Sequence, residues 1–430
     1  MAEGFSARPT KSLTAGIRAN WKQFSLLLLV NGFVGAMVGM ERSILPLFAE
    51  KEFGITSRAV VLSFLVSFGL AKASSNLFAG FLADRWGRKV VLVGGWLAGL
   101  PVFWLLIFAP NWSYVVLANL FLGINQGLCW SMTVNMKIDL AGEKQRGLAM
   151  GLNESVGYLA VSFSALFTSA LAARYGLGRI LFYPALAYTL LGLWVSIFYI
   201  GDTHAYGRDY QIAKNSIALK ARQSSFSSLS RVFSFASWKN RSLLAINQAG
   251  LINNLNDAVV WGLVPILMFQ AGLSFEQIGL IAAIYPAIWG VAQLVTGAIS
   301  DDWGRKPMVV SGLFVQAVGI IFLAIIHKFW IMLFASVLLG LGTAMVYPTL
   351  IAAASDAAEP RLRATTVGVY RLWRDTGYLA GGLIAGYVAD LFGLSFSILV
   401  VGGLTFLSGM ITFRWMADPL KATVKNPPYI

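Results

Sequence analysis

Long apolar runs, each about the length needed to cross a bilayer, follow one another along this chain with only short polar breaks. A spanning helix needs ~20 mostly apolar residues to cross a hydrocarbon core of roughly 30 Å. Such runs fall near 24–48, 59–82, 90–109, 112–138, 147–172 and 179–201, then near 242–269, 276–300, 307–326, 329–355, 364–390 and 393–416. The pattern predicts an all-α membrane protein of twelve transmembrane helices in two six-helix bundles, numbered here as spans 1 to 12.

The polar stretches divide the chain. Residues 1–23 form a polar, basic lead-in that runs straight into a full-length apolar stretch, which predicts a cytosolic tail rather than a cleaved signal peptide. Residues 24–201 make the first bundle and 242–416 the second, with a cytosolic tail at 417–430. Between the bundles, 202–241 carries Arg208, Lys214, Lys220, Arg222, Arg231, Lys239 and Arg241 against Asp202 and Asp209, and reads as a basic cytosolic linker. Phe226, Leu229, Phe233 and Trp238 suit its later part to lie along the headgroups as an amphipathic helix.

Composition agrees with this division. Of 430 residues, 57% are hydrophobic and only 12% charged, whereas a soluble domain carries about 25% charged residues. The net charge of +14 also finds its place. With the N-terminus inside, most Lys and Arg fall on the side of the termini, and Lys51, Arg58, Arg174, Arg179 and Lys328 are the few in the opposite loops. That bias predicts cytosolic termini and explains the basicity without a nucleic-acid partner. The single cysteine, Cys129, lies within an apolar run, so neither a disulfide framework nor a Cys-based metal site is expected. His204 and His327 fall outside the spans, so proton-linked chemistry at membrane depth rests on carboxylates.

An internal repeat makes the strongest argument. GFLADRWGRK at 80–89 recurs as GAISDDWGRK at 297–306, matching Gly80 to Gly297, Asp84 to Asp301, Gly87 to Gly304, Arg88 to Arg305 and Lys89 to Lys306. The same offset carries Asn76 to Gln293, Asp139 to Asp356, Arg146 to Arg363 and Gly151 to Gly368. Near it, Pro46 meets Pro265, and Gly157-Tyr158-Leu159-Ala160 meets Gly377-Tyr378-Leu379-Ala380. One six-helix unit has been used twice in the same orientation, which places a cavity between the halves at the midplane and lets their rocking alternate access.

At these residues the chain resembles the major facilitator superfamily, whose hallmark between helices 2 and 3 has the form G-x-L-A-D-R-x-G-R-K. Gly80, Leu82, Ala83, Asp84, Arg85, Gly87, Arg88 and Lys89 match it, and the second copy is weaker, with Asp302 in place of the Arg. The resemblance covers essentially the whole chain and implies secondary active transport, with helices 1, 4, 7 and 10 around the cavity and 2, 5, 8 and 11 flanking it. Members that export drugs against protons carry an Arg three residues before a Gln-Gly pair in helix 4 and a Gly-Pro element in helix 5. Here Gly123 precedes Gln126-Gly127, and span 5 reads GLNESVGYLAVSFSALF. Proton-driven drug export therefore lacks its own motifs and stands as an alternative, beside a transport-fold sensor.

The physical reading of the hallmark is that Gly87 permits a tight turn. Asp84 and Arg88 can pair with each other or with a neighbouring helix end and gate the cytosolic face. Asp301 and Arg305 are their counterparts; the other reading is that these charges only fix topology.

Charges inside the spans are the candidate site. Four acids, Glu41, Glu154, Asp257 and Asp375, and five bases, Arg42, Lys72, Lys137, Arg371 and Arg374, lie at membrane depth. A charge there costs roughly 2.5–3.5 kcal/mol, so such residues face the protein interior and are paired or functional. Helical spacing groups Asn247, Asn254, Asp257 and Trp261 on span 7, Asn119, Gln126, Trp130, Thr133 and Lys137 on span 4, and Lys72 with Asn76 on span 2. Asp257, central in its span, is the leading proton carrier, with Glu41 beside Arg42 second. Lys72 reads either as a substrate contact or as an ion pair with Glu41 or Asp257. Glu154, Arg371, Arg374 and Asp375, toward the cytosolic third, read as a gating cluster between the halves. Trp130, Trp261, Trp289, Tyr285 and Tyr347 can wall a pocket or simply pack.

The excess of one base leans toward an anionic or carboxylate-bearing solute, unless Lys137 snorkels to the interface. No G-x-x-x-x-G-K-[ST] run is present to suggest ATP drive, and no histidine at depth suggests an intramembrane enzyme. The expectation is a monomeric multi-pass carrier of the bacterial inner membrane. It moves a small-molecule substrate through the lipid bilayer with protons as coupling ion and needs neither cofactor nor metal.

Overall fold

The computed structural model describes residues 16–142, 145–203, 231–358 and 362–418. Its helices are α1 Trp21–Arg42, α2 Leu45–Phe53, α3 Arg58–Trp86, α4 Arg88–Ile107, α5 Trp112–Ala141, α6 Arg146–Tyr175, α7 Tyr183–Phe198, α8 Arg241–Gly262, α9 Val264–Gln270, α10 Phe275–Trp303, α11 Arg305–Ile325, α12 Phe329–Asp356, α13 Arg363–Phe392 and α14 Leu394–Trp415. Among the described residues, eleven spans are apolar and long enough to cross a membrane. The twelfth is α13, whose 30 residues include Arg371, Arg374, Asp375 and Asp390. It is charged because it borders the crevice between the halves.

Spans 1 and 7 are each broken, as α1 with α2 and α8 with α9. The cause is the proline pair of the repeat: Pro46 and Pro265 sit in the first turns of α2 and α9. A proline lacks the N–H that a continuous helix needs and clashes with the carbonyl four residues back, so the helix restarts there.

The hallmark turns are nearly identical in both halves. Gly87 and Gly304 adopt φ of 89° and 108°, a backbone that other residues rarely take. The arginine after each turn reaches the end of a packed neighbour in its own half: Arg88 pairs with Asp139 of α5, and Arg305 with Asp356 of α12. Arg305 also meets Asp301 at 2.6 Å. Of the two expected pairings, Arg88 takes the neighbouring helix end and not Asp84, whereas Arg305 takes both. Asp84 projects from the exposed side of α3, while Arg88, opening α4, faces the α5 end.

The two bundles meet along α3 against α13 and along α6 against α10. On the end away from the termini they are shut: Gly69 lies against Tyr378, Gly279 against Ser169, and Gly386 against the backbone of Ala59. There Asp390, near the end of α13, accepts hydrogen bonds from the Ser57 hydroxyl at 2.7 Å and from the backbone N–H groups of Arg58 and Ala59 at 2.5 and 3.1 Å. A carboxylate from one half thus caps the first turn of α3 in the other, where unpaired N–H groups and the helix dipole favour negative charge. On the end that carries the termini, the halves part around a cleft of about 200 Å³ between α3, α5 and α13.

Losing a helix cap costs about 0.5–2 kcal/mol. Asp390→Ala is therefore expected to open the far end more often, raising maleimide labelling of an Ala59→Cys reporter several-fold. The native thiol, Cys129, is buried and stays silent. Unchanged labelling would show that the cap does not hold that end closed.

Residues Phe226 and Leu229 of the proposed amphipathic segment lie outside the described residues, as does His204. From Arg231 onward the chain is helical, and exposed Trp238 packs edge-on against Trp373 at 5.3 Å.

Candidate functional site

Halfway along the spans, a layer of polar side chains closes a ring across the two bundles. Glu154 on α6 accepts from Trp130 Nε1 at 2.7 Å and, across the interface, from the Tyr347 hydroxyl at 3.0 Å. Arg374 on α13 donates to that same hydroxyl at 3.2 Å and to Asp375 at 2.6 Å. Asp375 in turn accepts from Asn254 at 3.4 Å and, back across the interface, from Asn76 at 2.5 Å. The Ser131 hydroxyl completes the layer by donating to Asn76 at 2.8 Å. The halves are thus joined at two places, Glu154–Tyr347 and Asn76–Asp375, both by groups whose alternative at this depth is an unmatched polar atom.

The ring surrounds a cavity of about 30 Å³ lined by Lys72, Asn76, Trp130, Glu154, Arg371 and Tyr378 among others. That is room for little more than a water, so a larger solute enters only as the halves part. Asn76, Ser131 and Arg371 also border the cleft on the terminus side, so the two spaces adjoin. Of the expected gating cluster, Glu154, Arg371 and Arg374 line this cavity with Lys72 and Asn254, and Asp375 stands behind it, bonded to Arg374 and Asn76. Of the four, Arg371 alone has no hydrogen bond or ion pair among the described residues.

Lys72 makes neither expected ion pair. Its ammonium lies 5.4 Å from the ring centres of both Phe68 and Tyr378, where ring quadrupoles attract a cation. Asp257 is fully buried and accepts from the hydroxyls of Tyr285 and Tyr378, the latter at 3.1 Å. One layer toward the far end, Arg42 is held between Phe68 at 4.6 Å and Trp261 at 4.7 Å. Since Phe68 belongs to the first half and Trp261 to the second, this sandwich bridges the halves. Among the described residues, neither the Arg42 nitrogens nor the Glu41 oxygens find a hydrogen-bond partner.

Other expected members stand aside. Gln126 donates to the Val34 carbonyl at 2.9 Å and ties α5 to α1. Trp289 is sealed behind Tyr158, its ring stacked at 3.6 Å, and Trp261 backs Tyr378 in the same way at 6.1 Å. Asn247 reaches the Ala236 carbonyl instead of the crevice. Lys137 does not snorkel: fully buried, it donates to the Leu27 carbonyl at 2.9 Å. Ser131 and Phe68 are the residues that sequence reasoning missed. Ser131 falls one position after Trp130, off the stripe by which span 4 was read, and Phe68 is an ordinary apolar residue until Arg42 and Lys72 meet its face.

Two similarly built six-helix bundles enclosing a charged crevice at membrane depth define a membrane transporter. The chain belongs to the Major Facilitator Superfamily, whose profile matches residues 27–246 and 248–429. Among similar proteins, the uncharacterized MFS-type transporter YddS of Bacillus subtilis (strain 168) is 25% identical over 89% of this chain and 87% of its own length. The multidrug resistance protein MdtG of Enterobacter lignolyticus (strain SCF1) is 23% identical over 91% of this chain and 92% of its own. Among solved structures, that of the nucleoside transporter NupG superposes with a TM-score of 0.74 over 92% of this chain and 100% of that one, at 12% identity, a likeness of fold alone.

Proposed function

We propose that this transporter is a secondary active carrier that moves a small organic solute by alternating access, coupled to protons through Asp257. The observation that carries the reading is the crevice: the halves are shut at one end, parted at the other, and joined at mid-depth by a polar ring that crosses between them. Such a ring is made and broken as the halves rock, so the solute site faces one side at a time. Glu154, Arg374 and Asp375 act as the gate at the centre, with Arg88 and Arg305 bracing the turns inside each half. Asp84 is free to meet the other half when the terminus side closes. The excess of membrane-depth bases leans toward an anionic solute. The carrier is a monomer of the bacterial inner membrane with both termini in the cytosol.

The test is flux in proteoliposomes. A solute chosen by a thermal-shift screen across organic acids, amino acids and drugs is expected to accumulate when a pH gradient is imposed and to stop when it is collapsed. Flux indifferent to the gradient would point to facilitated diffusion instead.

A second reading, export of amphipathic drugs, is favoured by the similarity to MdtG and by the aromatic wall of Trp130, Tyr158, Tyr347 and Tyr378. Gly123 in place of an Arg in span 4 and the missing Gly-Pro element in span 5 weigh against it.

A further inference from the structure

The cavity has an unequal charge. Its only lining carboxylate, Glu154, has both oxygens engaged by Trp130, Asn153 and Tyr347. Of its three lining cations, Arg374 is matched by Asp375 at 2.6 Å. Lys72 and Arg371 face the same space with no hydrogen bond or ion pair among the described residues. Every other membrane-depth base is either neutralised, bonded or sealed: Lys137 holds a backbone carbonyl, and Arg42 is enclosed between two rings. Two cations at membrane depth with no bonded counter-charge are costly unless something negative joins them.

The walls add a second constraint. Tyr158 lies 5.4 Å from Trp130 and 6.2 Å from Tyr347 by ring centres, and Lys72 sits over Tyr378. These faces suit a planar ring, whose edge and face they can meet without hydrogen bonds. Arg371 stands at the junction of the cavity and the terminus-side cleft, so a carboxylate arriving by that cleft meets its guanidinium first. A guanidinium accepts a carboxylate in two parallel bonds, and Lys72 supplies a point charge deeper in.

We infer that the site takes a small aromatic organic anion, its carboxylate or equivalent oxyanion held by Arg371 and Lys72 and its ring among Trp130, Tyr158, Tyr347 and Tyr378. This rests on the carrier reading and narrows it. The anion cancels the surplus positive charge, so the halves close over the loaded site more readily than over the empty one.

The probes are benzoate, benzamide and benzamidinium, which share one ring and differ in charge, with cyclohexanecarboxylate testing the ring. Equilibrium binding to the purified full chain is expected to favour benzoate over benzamide by about tenfold, since an ion pair with charge on both partners replaces a bond from a cation to a neutral amide. Benzamidinium is expected to bind least, and cyclohexanecarboxylate more weakly than benzoate. Lys72→Met and Arg371→Gln each remove most of the benzoate advantage by weakening benzoate far more than benzamide, and Lys72→Arg restores it. Equal affinities, preference for benzamidinium, or no binding by any of the probes overturns the assignment. Thiol accessibility at the two ends of the crevice, followed in the same preparations, separates the two ideas. Ends that still exchange accessibility while benzoate has no advantage refute the ligand alone; ends that never exchange refute the carrier.

Discussion

Asp257→Asn is expected to abolish uphill accumulation completely while leaving substrate binding and downhill exchange measurable. The side chain is sealed in the last third of α8, with Tyr285 of α10 and Tyr378 of α13 donating to its two oxygens. Asparagine fills the same volume and keeps one acceptor, so the pocket survives, but it can neither take up nor release a proton. A carrier without its proton site still rocks and still exchanges one solute for another; it loses only the link to the gradient. The measurement is the accumulation ratio in proteoliposomes under an imposed pH difference, with counterflow as the control. Accumulation that survives the substitution would move the coupling role elsewhere, with Glu41 the next carboxylate to test.

Gly69→Leu is expected to have the largest effect on conformation. A Cβ at position 69 would lie 2.7 Å from Tyr378 Cβ and close to the Leu379 backbone, both in the opposite half. Overpacking of this kind costs roughly 1–3 kcal/mol, and here it is felt only when the far end is shut. The equilibrium should therefore move toward the form open at that end by about tenfold to a hundredfold. Labelling of Ala59→Cys should rise accordingly, and transport should fall because the return step is blocked. Gly35→Leu is the contrasting case. Its Cβ would collide with the Gly157 carbonyl inside the same half, so no rocking relieves it and the yield of folded protein should drop instead. If the two variants behaved alike, the α3–α13 seam would be a fixed joint.

Much of the architecture was legible because two independent signals agreed: runs long enough to cross a bilayer, and a repeat that matched even the Arg88–Asp139 and Arg305–Asp356 pairs, whose members stand far apart in sequence. The proline pair stood out only as a match in the repeat: the runs at 24–48 and 242–269 read as unbroken spans, and both break there. The site was legible as a list of charges but not as a set of partners. Helical spacing places Lys72, Asp257 and Glu41 near one another in depth, yet says nothing of which face meets which helix. So Lys72 met the rings of Phe68 and Tyr378 rather than a carboxylate. Lys137 turned inward to a backbone carbonyl because α1 packs against α5 there and leaves no path to the interface. Asp390 and Ser57 drew no attention, since each is an ordinary polar residue at a span end until the other half supplies its partner.

An uninterrupted rod carries a tilt applied at one end through to the other. The joints after Arg42 and Gly262 interrupt that rod at equivalent points in the two halves, and the short tips beyond them, α2 and α9, touch each other at the end away from the termini. Each tip is itself buried, from Leu45 to Ala49 and from Val264 to Met268, so a bend at the joint turns it as a packed unit against its own bundle. In the carrier proposed above, that gives the far mouth a hinge of its own beside the turning of the bundles.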